Sequence, residues 1–189
     1  MNARNVSILT AALLAFSVSA RADEYSATVN LFKNAGESAA FYHNAYGYAV
    51  FPTIGKGGVG VGGAYGKGRV YEKGKHVGDT SMTQVTVGLQ LGGQAYSEMI
   101  FFEDERAFRE FTGGNFEFSA DAGAVAITAA ANASASTTGS SAGASGGKKD
   151  AKTVGKYYKG MATFTIAKGG LMYEASIGGQ KFSYKAVGK

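Results

Sequence analysis

The stretch "VFPTIGKGGVGVGGAYGKGRVY", residues 50–71, restricts the fold more than any other part of the chain. Glycine stands at 55, 57, 58, 60, 62, 63, 66 and 68. No helix starts among so many glycines, because each costs conformational entropy that a helix does not return. Read with period two, Gly58, Gly60, Gly62, Ala64, Gly66 and Gly68 fall on one face. Val59, Val61, Tyr65 and Arg69 fall on the other. That is a strand with one nearly bare face. Such a face accepts close packing by a neighbouring element, the commoner role, or offers a smooth wall to an apolar ligand. The second role makes Gly58, Val59, Gly60, Val61, Gly62 and Tyr65 a candidate ligand wall.

The same stretch contains G-x-G-x-x-G at Gly58, Gly60 and Gly63 and two Gly-Lys pairs. A dinucleotide loop must open a helix after a buried strand, and a phosphate loop needs Ser or Thr after its lysine. Neither context is present: Lys56 and Lys67 are each followed by glycine. With 29 glycines in the chain, the match is a by-product of composition. No nucleotide is expected.

The N-terminus reads as a secretory signal peptide over residues 1–22. Arg4 precedes an apolar run from Val6 to Ala20, and Ala20-Arg21-Ala22 is a small-residue cleavage site. The run is shorter than the ~20 residues of a spanning helix. Residues 23–189 then form a single domain with its own core. An exported chain without cysteine gains no disulfide and carries no lipid-modified N-terminal cysteine. Its only imidazoles, His43 and His76, lack ligand spacing, so neither metal nor cofactor is expected. No G-x-S-x-G and no paired-carboxylate pattern occurs, so a non-enzymatic role is expected.

Charge is unevenly placed. From Lys148 onward there are nine lysines against Asp150 and Glu174, while the preceding body is acidic. A basic module of this kind meets an anionic partner or is a solvated flank. Export disfavours nucleic acid and favours anionic lipid or polysaccharide. The candidate lipid contacts are Lys148, Lys149, Lys152, Lys156, Lys159, Lys168, Lys181 and Lys185. Tyr157 and Tyr158 lie among them and suit a lipid interface.

Along the chain, Asp23–Asn34 and Glu37–Asn44 suit short helices separated by Gly36. Strands start at Tyr48, and Pro52 is expected to bend or end that edge. "EKGKHVGD" reads as a turn, and Thr80–Leu91 alternates, with Val85, Val87, Leu89 and Leu91 on one face. Ala95–Phe102 continues as strand. "EDERAFREFTGG" is the clearest helix: Asp104 caps it, Phe108 and Phe111 share a face, and Gly113 ends it. Asn115–Thr128 is extended. Residues 132–149 are Ser, Ala, Thr and Gly without a large apolar side chain, a flexible loop. Gly155–Ala167 and "KGGLMYEASIGGQKFSY" supply the last strands. Lys168-Gly169-Gly170-Leu171 repeats the design of Lys56-Gly57-Gly58-Val59, so the two strands are expected to pair or to lie in equivalent places.

Several blocks together resemble one family. "GYAVFPTIGKGGVGVGGAYGKGRVY", "TVGLQLGGQAYSEMIFFEDERAFREF", "GNFEFSADAGAVA" and "KGGLMYEASIGGQKFSY" are similar, in order, to the SYLF lipid-binding domain in its exported bacterial form. The resemblance implies a non-enzymatic domain that binds lipid, with acidic phospholipids the usual ligands of eukaryotic members; with the signal peptide, the expected function is binding acidic phospholipid in the cell envelope, at the periplasm. The resemblance also implies actin binding for some eukaryotic members; an exported, periplasmic protein is not expected to meet actin. Members often carry a Trp after the first hairpin, where this chain has His76-Val77-Gly78, and an Arg after the "DAGAVA" block, where it has Ile127-Thr128-Ala129-Ala130. Lysines are then expected to supply the cations. The expected fold is α+β, with short N-terminal helices packed on a strongly bent, Gly-rich, largely antiparallel β-sheet or half-barrel. Two alternatives stay open: a small outer-membrane β-barrel, and a structural envelope protein without a ligand.

Overall fold

The computed structural model describes residues 24–88, 93–119, 122, 124–127, 157–168 and 177–188. The leader and the 132–149 loop lie outside the described residues. Helix α1 covers residues 24–34, and α2 covers Gly36–Asn44. The break falls at Ala35 and not at Gly36, which opens the second helix. The Ser38 hydroxyl donates to the carbonyls of Phe32 and Ala35 and fastens the junction. Seven strands follow, with α3, Glu105–Thr112, between the third and fourth. They are β1 (Gly47–Glu72), β2 (Lys75–Gly88), β3 (Gly93–Phe102), β4 (Asn115–Glu117), β5 (Val125–Ile127), β6 (Met161–Lys168) and β7 (Lys181–Ala186).

The sheet order is β4-β7-β2-β1-β3-β6-β5, antiparallel except for the β5–β6 pair. The fold is α+β, as expected. The barrel alternative is corrected here. Among the described residues the sheet is open, with β4 and β5 at its two ends. Away from the β1–β2 end, both of its faces also carry a packed apolar layer. Phe32 and Ala35 lie on one face with Tyr48, Val50, Met99, Phe101 and Phe164. Ala107, Phe108 and Phe111 of α3 lie on the other with Phe51, Ile54, Ile100, Phe102 and Phe182. Strand β3 is therefore buried continuously from Tyr96 to Phe102, a pattern of a sheet between two layers and not of a wall facing lipid.

Strand β1 doubles back on itself. Residues 47–57 pair with β3, and residues 60–72 pair with β2. The two halves meet each other: the Tyr48 and Tyr71 rings stack at 4.9 Å, and Lys73 N–H donates to the Tyr46 carbonyl. The reversal lies at Gly58–Gly62, where Gly58 and Gly60 have φ of 152° and 74°. A Cβ on Gly58 would sit 2.3 Å from Gly62 Cα, so only glycine fits. Pro52 does not end the strand. It sits in a register shift between Phe51 and Ile54, where no ladder N–H is required, and its carbonyl accepts from Ser97 Oγ at 2.7 Å.

Helix α3 forms where its sequence places it. Asp104 accepts from Ala107 N–H at 2.8 Å, while Glu105–Arg109 and Arg106–Glu110 pair along the exposed side. Asp104→Ala is expected to cost about 1 kcal/mol of unfolding free energy. Urea denaturation followed by far-UV circular dichroism measures it.

Candidate lipid-contact site

The bare face of the Gly-rich strand is filled by the protein itself. A Cβ on Gly66 would lie 2.5 Å from Ile54 Cγ1, and one on Gly68 would lie 2.7 Å from the Phe51 ring. These glycines let the two halves of β1 and their large side chains approach closely, the packing role of glycine in strands. The opposite residues are the exposed ones. Val59 is 79% exposed, Val61 65% and Tyr65 51%, and Val85 on β2 is 78% exposed. Gly63 pairs with Val85, so Val61, Tyr65 and Val85 share one face, with Val59 at the reversal. Of the ligand-wall residues, the side chains of Val59, Val61 and Tyr65 thus form an apolar tip.

Among the described residues, α1 meets β1 at Lys67 and Arg69. Its Tyr25 lies under the Arg69 guanidinium at 4.2 Å, and Tyr25 OH donates to the Lys67 carbonyl. Beyond that point the strands continue toward Gly60, and Val61, Gly63 and Tyr65 are exposed. Val85 departs from the simple pattern: among the described side chains of β2 the buried ones are Thr80, Met82 and Gln84, and the apolar valine faces out. Lys56 and Lys67 stand on either face beside the tip, and neither forms an ion pair among the described residues. An apolar end flanked by free cations suits an anionic lipid surface, which takes apolar side chains and attracts lysine.

The C-terminal lysines that are described, Lys159, Lys168, Lys181 and Lys185, lie apart from one another. Lys148, Lys149, Lys152 and Lys156 lie outside the described residues. Tyr157 is half-buried, packed on Phe41 at 5.0 Å. Tyr158 and Lys159 are exposed at the end where Met161 pairs with Phe102, away from the tip. Lys168 lies nearer the tip, opposite Ala95, but contacts Glu24 at 3.6 Å and Thr53 at 2.6 Å. Lys181 contacts Glu117 at 3.6 Å, and Lys185 is exposed opposite Asp79. The repeat of Lys56 and Lys168 has a structural counterpart: their strands flank β3 on its two sides, opposite Gln94 and Ala95.

One buried group has no place in a surface site. Glu98 is fully buried and pushed up to about 7, chiefly by loss of solvation, with one hydrogen bond from Gln180 opposing the shift. Among the described residues no group of His, Cys, Asp and Glu could hold a metal ion.

The sequence is 30% identical over 161 residues to Beta cell expansion factor A of Aeromonas veronii, covering 83% of this chain and 52% of that protein. The chain thus spans about half the length of that relative. The model of the family Ysc84, described as Las17-binding protein actin regulator, matches residues 83–186, more than half of the chain. On that match the chain belongs to the Ysc84 family, the family of the SYLF lipid-binding domain.

Proposed function

We propose that this protein is a non-enzymatic, membrane-peripheral domain of the bacterial cell envelope that binds acidic phospholipid through the tip of β1. The observation that carries the reading is the exposed set Val59, Val61, Tyr65 and Val85 beside Lys56 and Lys67. Each apolar side chain that leaves water contributes in proportion to its area, up to about 1.5–3 kcal/mol for complete burial. Each lysine near an anionic surface adds about 1 kcal/mol, which salt weakens beyond a Debye length of about 10 Å at 0.1 M. The C-terminal lysines then serve as a dispersed second contact. The family's description names actin regulation, but a protein exported by a signal peptide does not encounter actin.

Co-sedimentation of the mature chain with vesicles tests this reading. Vesicles of phosphatidylglycerol in phosphatidylcholine are expected to pellet the protein at low salt. Pure phosphatidylcholine vesicles should retain about tenfold less, the effect of losing one to two lysine contacts. Equal recovery on both, at low and high salt, contradicts acidic-lipid recognition.

A further inference from the structure

Glu98 is the only acidic or basic side chain among the buried residues described. It lies on β3 on the α3 face of the sheet, between Phe51 of β1 and Thr165 of β6. No cation faces it from these strands. The groups around it are Tyr96, Gln180 and Thr165, which are 4%, 0% and 1% exposed. Gln180 belongs to a strap, residues 177–180, that leads into β7. The strap is tied by Phe118 N–H to the Gln180 carbonyl, Gly179 N–H to the Phe118 carbonyl, and Gln84 Nε2 to the Gly178 carbonyl. Its last tie is Gln180 itself, whose Nε2 donates to Glu98 Oε2 at 3.0 Å and to Tyr96 OH at 3.3 Å.

That arrangement uses both amide donors and leaves two oxygens without partners, Glu98 Oε1 and Gln180 Oε1. The Thr165 hydroxyl is also unpartnered. A buried polar atom without a partner costs about 1–3 kcal/mol. The two oxygens sit on side chains that are already bonded to each other. A single proton on Glu98 Oε1 makes it a donor to Gln180 Oε1 and completes a two-bond acid–amide pair.

We propose that Glu98 is a neutral carboxylic acid in the folded protein, and that its pair with Gln180 is a proton-dependent latch holding the strap and β7 on the sheet. Ionisation removes the donor and leaves a carboxylate in an apolar layer with one amide N–H, so the strap loosens. Tyr96 does not compete for this role, because burial first and the Glu98 charge second push it well above its ordinary range.

The sign follows from the direction of the shift. Glu98 is raised from 4.5 to about 7, so between those values the folded chain holds a proton that the unfolded chain has lost. Stability is therefore full below about 4.5, falls as pH rises, and is flat above about 7. The loss in the folding equilibrium is on the order of a hundredfold. Glu98→Gln keeps both bonds at every pH, since its amide donates where the acid proton did.

The test pairs carboxyl 13C NMR of Glu-labelled protein with hydrogen exchange across this pH range. One resonance is expected to titrate near 7 in the unmodified chain and to be missing in Glu98→Gln. At neutral pH, amides of 177–186 should exchange on the order of a hundredfold faster in the parent than in the variant. A Glu98 carboxyl that titrates with the others, or equal exchange of the strap in both proteins, overturns the proposal. Should the variant fail to fold, the resonance in the unmodified chain decides alone.

Discussion

Phe111→Ala is expected to lower the unfolding free energy by about 3–5 kcal/mol, a large part of the 5–15 kcal/mol that holds an ordinary domain together. Phe111 is 0% exposed and joins α3 to the sheet. Its ring lies 5.0 Å from Phe102 of β3, 5.0 Å from Phe182 of β7 and 5.5 Å from Phe116 of β4. Truncation removes the transfer free energy of a ring and leaves a cavity between elements that cannot all collapse into it. Phe182 in turn contacts Phe51 and Phe118, so the loss spreads to β1 and to the segment that ties the strap. The chain has no Trp, so urea unfolding is best followed by far-UV circular dichroism or tyrosine emission. A loss under about 1 kcal/mol, the typical effect of a single substitution, would show that α3 is not docked through this ring.

The second large effect is on binding. Val59→Asp with Val61→Asp is expected to weaken association with anionic vesicles about 100-fold, or roughly 2.7 kcal/mol at 1.36 kcal/mol per factor of ten. Two valines that partly leave water on binding supply that amount, before repulsion between carboxylate and anionic lipid is added. The fold is not expected to change. The two valines are 79% and 65% exposed, and surface substitutions of this kind usually stay within about 0.5 kcal/mol. Binding and stability are therefore separable in this variant, unlike in Phe111→Ala.

The elements legible in the sequence were those whose signals are local. Asp104, the spacing of Phe108 and Phe111, and Gly113 define α3 within ten consecutive positions, and the structure places each in its expected role. The hairpin in β1 was not legible. A reversal is normally marked by Asn-Gly or Asp-Gly between apolar runs. Here the turn at Gly58–Gly62 is written in the same glycines as the strands beside it, so the stretch reads as one long strand. The placement of the lysines was not legible for another reason. Those described lie on β6, β7 and the turn before β6, and Lys168 and Lys181 each meet a carboxylate, which charge counted along the chain does not show. Val85 and Glu98 both invert their hydropathy, one exposed and one buried. Only the layering of the sheet decides that: β3 is covered on both faces and has no period-two signal to read, while β2 keeps its alternation but buries the polar Thr80 and Gln84 and turns Val85 outward.

Co-sedimentation of Val59→Asp/Val61→Asp beside the parent chain, on phosphatidylglycerol-containing vesicles at low salt, decides whether the tip of β1 is the lipid contact. Circular dichroism spectra and urea midpoints should first match. The tip account then predicts that the parent pellets with the vesicles while the variant stays in the supernatant at lipid concentrations up to about 100-fold higher. Equal pelleting of the two proteins would contradict it and move the lipid contact away from β1.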